Sequence, residues 1–127
     1  MDGSVVGRGC VALRLHVVYQ GRALPLAGRV RQGPKGHFPA DLPIALVALV
    51  RDVIPEGAQV VLLGDGECDG TRLQQTVKDQ GWSLGCRTGC HTTAWWDGEP
   101  FRLDTLGACS KPGTLIELSE VLFPREE

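Results

Sequence analysis

With 127 residues the chain has room for one domain with a modest core. Its hydrophobic fraction of 43% and charged fraction of 22% are those of an ordinary globular protein. A formal net charge of -2 argues against a free-standing nucleic-acid binder. With no apolar run of about 18 residues, no membrane span is expected. The start, Met1-Asp2-Gly3-Ser4, reads as neither a signal nor a transit peptide, so a cytoplasmic location is expected by default. Five cysteines, Cys10, Cys68, Cys86, Cys90 and Cys109, form no regular disulfide framework. Cys86-x-x-x-Cys90-His91 is a zinc-like fragment, but a structural zinc site needs four ligands and no second pair follows. Reduced, partly buried thiols are expected.

In chain order, Val5 and Val6 lead into a glycine-punctuated loop through Gly9. Val11, Leu13, Leu15, Val17 and Tyr19 then alternate with polar residues, the pattern of a strand with one buried face. His16 reads as a surface residue of that strand. After a tight turn at Gln20-Gly21, Arg22 to Val30 returns as a second arm. Pro25 cannot donate a ladder hydrogen bond, which puts this arm at a sheet edge. Arg31 to Phe38 is a loop carrying Lys35 and His37. Asp41 caps a helix apolar nearly all round, from Leu42 to Val53, packed deeply enough to bury both Leu46 and Leu49.

Val60 to Leu63 is a continuous apolar run, the signature of a strand buried on both faces, with Val61 and Leu63 in the core. Gly64-Asp65-Gly66 ends it. An acid at the carboxyl end of a buried strand sits where α/β folds gather ligands, so Asp65 is the first candidate for chemistry; the competing reading is a turn aspartate capping the next helix. A second helix spans Thr71 to Gln80, with Leu73 and Val77 inward. Trp82 to Arg87 reads as a short strand, Thr92 to Trp96 and Phe101 to Leu103 as hairpin arms about Asp97-Gly98, and Leu115 to Phe123 as a last strand. The layout is mixed α/β with a β-rich tail.

Three motifs carry a resemblance. Asp2-Gly3-Ser4, Arg22-Ala23-Leu24-Pro25-Leu26 leading to Arg29-Val30, and Leu63-Gly64-Asp65-Gly66-Glu67-Cys68-Asp69 follow in that order and spacing. In this they resemble the catalytic domain of DDE-type transposases of bacterial insertion sequences, family four. The resemblance covers about two-thirds of the chain. It implies a partial RNase H-like mixed sheet with flanking helices over residues 1–86, the first strand lying between the second and fourth, and a β-strand insertion from 87 to 127. It implies Asp2 and Asp65 as catalytic acids and as ligands of Mg²⁺ or Mn²⁺, with Glu67 or Asp69 as an auxiliary charge. The implied partners are DNA, as transposon ends and target, and full-length transposase. Arg87 and Lys111 become candidate phosphate contacts, and Trp95 or Trp96 a candidate platform for an unpaired base.

The departures are specific. Gly66-Glu67-Cys68 stands where the family has Arg-Gly-aromatic, and Gly28 where a bulky core-facing residue is expected. The strand that should precede Asp2 is absent. The motif Tyr-x-x-Arg-x-x-x-Glu, which supplies the third acid, does not occur; Glu117, Glu120, Glu126 and Glu127 stand in no such context. The resemblance thus implies a shortened catalytic domain, inactive alone. The alternatives are a regulatory remnant that binds DNA or transposase without cutting, and a decayed product.

Overall fold

A computed structural model describes residues 1–34 and 38–123. Lys35, His37, Glu126 and Glu127 lie outside the described residues. The chain divides into two compact units, Met1–Arg87 and Thr88–Glu127.

The first unit begins with a three-stranded antiparallel meander of β1 (Asp2–Gly7), β2 (Cys10–Tyr19) and β3 (Arg22–Gln32). Gly7, Arg8 and Gly9 all take positive φ, which allows the chain to reverse within two residues and pair Asp2 with Arg14. Asp2 therefore opens a strand, where the resemblance had it closing one. Val5 and Val6 belong to that strand and not to a loop, because an antiparallel partner is available to them. β3 lies at the sheet edge as Pro25 requires. An irregularity at Leu15/His16, opposite the extra residue Leu26, shifts the register between β2 and β3.

Helix α1 (Asp41–Arg51), strand β4 (Val61–Gly64), a single 3₁₀ turn (Gly66–Cys68), helix α2 (Thr71–Asp79) and strand β5 (Ser83–Cys86) follow. β4 and β5 pair in parallel, Leu62 opposite Leu84, around the α2 crossover. Ala40, not Asp41, occupies the N-cap of α1; Asp41 lies in the first turn and pairs with Arg72 of α2 at 3.2 Å. The core joins Leu13 and Leu15 of β2, Leu46, Val47 and Val50 of α1, Leu62 of β4, Cys68, and Leu73 and Val77 of α2.

Burial is one-sided. Leu62 is 7% exposed, but Val61 and Leu63 are 64% and 59% exposed, so β4 is not buried on both faces. The helices cover only the Leu62 face, and strand side chains alternate. Leu49 turns outward on α1 for the same reason. Val17, beyond the register shift in β2, lies half exposed past the covered part of the sheet. Gly28 pairs with Arg14 on the face opposite Leu13 and so leaves no gap in the core. A Cβ there would meet the Arg14 stem at 3.2 Å.

In the second unit, β6 (Thr93–Trp96) and β7 (Glu99–Arg102) form an antiparallel hairpin about Asp97-Gly98, followed by a short helix α3 (Leu103–Ala108). Leu115 to Phe123 is not a strand. Its one pairing is a bridge in which Leu122 and Trp95 exchange backbone hydrogen bonds at 2.8 and 2.9 Å. Pro112-Gly113 and Ser119-Glu120, the latter with Glu120 at positive φ, bend the segment before a ladder can extend. Among the described residues, no helix is long and apolar enough to cross a membrane.

Candidate functional site

Asp65 stands at the carboxyl end of β4 and Arg87 directly after β5, where its backbone N–H donates to the Gly64 carbonyl at 3.2 Å. The N-terminal ammonium of Met1 donates to the Leu63 carbonyl at 2.5 Å, setting the start of β1 beside the end of β4. Asp2 follows that bond by one residue and Asp65 by two. The topology thus gathers Asp2, Asp65 and Arg87 at one end of the first unit. Asp2 shares its sheet face with Arg14, its register partner, and Arg14 in turn donates to Ser4 Oγ.

Asp65 is also the N-cap of the 3₁₀ turn, accepting at Oδ1 from the Glu67 N–H at 3.1 Å and from the Cys68 thiol at 3.8 Å. The two readings of Asp65, cap and ligand, are compatible, because Oδ2 receives no hydrogen bond from the described residues. The turn is tight. A Cβ on Gly64 would clash with Cys68 Cβ and lie 2.9 Å from its Sγ, so the backbone needs glycine here. Glu67 folds back under β1, where its Oε2 is buried without a hydrogen-bond partner and a Cβ on Gly3 would lie 2.7 Å from it. Asp2 faces the other side of β1, so Glu67 does not join it. The sequence signal was the Gly-Glu-Cys departure itself, which puts an acid where the family has glycine.

Two carboxylates, exposed on the Asp2 side, suit a hard divalent cation that keeps most of its water. Among the described residues, no group of three or more His, Cys, Asp or Glu could hold a metal ion. Cys68 adds no thiolate. Burial pushes its thiol from an ordinary 9.0 up to about 11, and the Asp65 carboxylate acts in the same direction. The folded state therefore binds this proton more tightly than the unfolded chain. The contribution to stability is complete below pH 9 and is lost as pH rises towards 11, by up to about 1.4 kcal/mol per pH unit. Urea midpoints taken at pH 8 and pH 10.5 should fall more for the wild type than for Cys68→Ala. At pH 8, a thiol reagent should label Cys90 and Cys109, both exposed, long before Cys68.

Trp95, Trp96 and Lys111 belong to the second unit. Trp95 and Trp96 alternate on β6, 36% and 51% exposed. Trp96 lines a cavity of about 270 Å³, closed on its other side by Thr105, Leu106 and Cys109 of α3. Lys111 borders an open cleft beyond the carboxyl end of α3. Nothing in the sequence reading pointed to α3 or to the cluster at its start. There Arg102 Nε donates to Asp104 Oδ1 at 3.0 Å, and Arg102 Nη2 lies 2.6 Å from His91 Nδ1. The hydrogen bonds from Arg102 hold the Asp104 carboxyl down at about 2, so its contribution to stability is lost only as pH falls through that value. The available signal was Asp104 next to Thr105, a pairing suited to a helix start. All five cysteines are free thiols. No protein-family model, curated protein or solved structure matches the chain.

Proposed function

We propose that the first unit is the metal-binding part of a DDE-type transposase core, with an RNase H-like strand arrangement. The observation that carries this reading is the convergence of Asp2 and Asp65 at the hydrogen bond between Met1 and Leu63. Further support comes from the strand order: β3-β2-β1 in one sheet, with β4-β5 beside the start of β1, follows the order the resemblance implies. The first unit carries ten Lys and Arg against eight Asp and Glu, and the second three against seven. Phosphate contacts are accordingly assigned first to Arg87 and Arg14, next to the acids, and only then to Lys111. Trp95, which does not line the cavity, is the aromatic left to stack on an unpaired base.

Asp2 and Asp65 would hold Mg²⁺ or Mn²⁺, which supplies Lewis acidity to an attacking and a leaving oxygen in DNA strand transfer. The residues themselves fix position: Asp65 through its cap bond to Glu67, Asp2 through the β1–β2 ladder. A third acid in the family's sequence context is lacking, so this chain alone is expected to leave DNA uncut. Loss of one ligand position raises the barrier, and each 1.36 kcal/mol is about tenfold in rate. Labelled transposon-end DNA with Mn²⁺ provides the test. The expected result is binding that weakens as salt rises, without nicking. Nicking that disappears in Asp65→Asn would show that another acid of the chain completes the site, and salt-insensitive or absent binding would remove the DNA reading.

A further inference from the structure

The cavity under the β6–β7 hairpin has a composition that the DNA reading does not use. Asp97 and Gly98 both take positive φ, giving a two-residue turn that sets Trp96 and Glu99 opposite each other as a register pair. Phe101, two residues beyond Glu99, projects from the same face of β7. Leu106 and Cys109 of α3, with Leu118, complete an apolar wall. Two aromatic rings and one carboxylate therefore border a small cavity that is otherwise apolar. At about 270 Å³ it lies just under the range of about 300–1,000 Å³ typical of drug-sized ligands, and suits a head group.

Charge selects the occupant. Among the described residues, Glu99 is the one charged residue in the lining, and it lies in the unit with the acidic surplus. A nucleotide entering here would bring its phosphate towards Glu99. A cation is drawn by the carboxylate and by the faces of Trp96 and Phe101, and an alkylated ammonium loses little hydration on entering an apolar wall. We propose that this cavity is a binding site for an alkylated ammonium group, either free as a small quaternary amine or carried on a methylated lysine.

The test is titration of the full chain while following the Trp96 indole N–H by NMR, its signal assigned by its absence in Trp96→Phe. Choline should shift that signal with millimolar affinity. Its uncharged isostere 3,3-dimethylbutanol should bind about tenfold more weakly or not at all, and Glu99→Gln should weaken choline by about tenfold. Glu99 is exposed at the end of the hairpin, so the variant is expected to keep its fold. A trimethyllysine peptide that binds more tightly than choline, with no response to the unmodified lysine peptide, would assign a protein source; equal affinities would assign the free cation. Equal binding of choline and its isostere, unchanged affinity in Glu99→Gln, a stronger response to thymidine monophosphate than to choline, or no response to any probe would each overturn the proposal.

Discussion

Gly64→Ala is expected to lower the unfolding free energy by about 3 kcal/mol, the upper end of the usual cost of overpacking. The added methyl would collide with Cys68 Cβ, which cannot swing aside: Cys68 N–H is bonded to the Asp65 carbonyl at 3.0 Å, and its thiol sits in the core. Relief requires breaking the turn that carries Asp65. The collision is with one neighbour, so the effect should be strongly coupled. In a Cys68→Gly background, the same Gly64→Ala change should cost less than about 1 kcal/mol. Urea denaturation of the four proteins measures the coupling directly. Additive costs would mean that Gly64 is needed for some reason other than space against Cys68.

The second large effect separates two leucines that the sequence makes look alike. Leu46 is fully buried among β2, β4 and α2 residues of the core, and Leu46→Ala should cost about 3 kcal/mol through lost transfer energy and the cavity left behind. Leu49, one turn on and 50% exposed, should cost less than about 1 kcal/mol as Leu49→Ala. Equal losses would mean that a second layer covers the outer face of α1 in solution.

That contrast shows what the sequence could and could not disclose. Elements with a clear period or a strong stop were legible: the β2–β3 hairpin from its alternation and Gln20-Gly21, α1 and α2 from their apolar spacing, the Asp97-Gly98 turn from its residue types. Faces were not. In Val60 to Leu63 every side chain is apolar, so the pattern has no phase, and only the placement of α1 and α2 on one side decides that Leu62 is inside. β1 was hidden because Val5-Val6 is too short to show a period, and its strand state depends on pairing with β2. α3, six residues with Gly107 within it, carries almost no helical signal and is held by its contact with β7. At the site, Asp65 was legible because a strand end flanked by glycines is a local feature. Its proximity to Asp2, 63 positions away, is set by the tertiary bond from Met1 to Leu63.

The central claim is that Asp2 and Asp65 form one cation site, and paramagnetic broadening by Mn²⁺ tests it most directly. In a ¹H–¹⁵N spectrum of the full chain, substoichiometric Mn²⁺ should broaden the amides of residues 2–4 and 64–67 first, with Arg87 next. Asp65→Asn should abolish this selective broadening while leaving the rest of the spectrum in place. Broadening that starts instead around Asp104, or spreads evenly over the acidic second unit, would contradict the account.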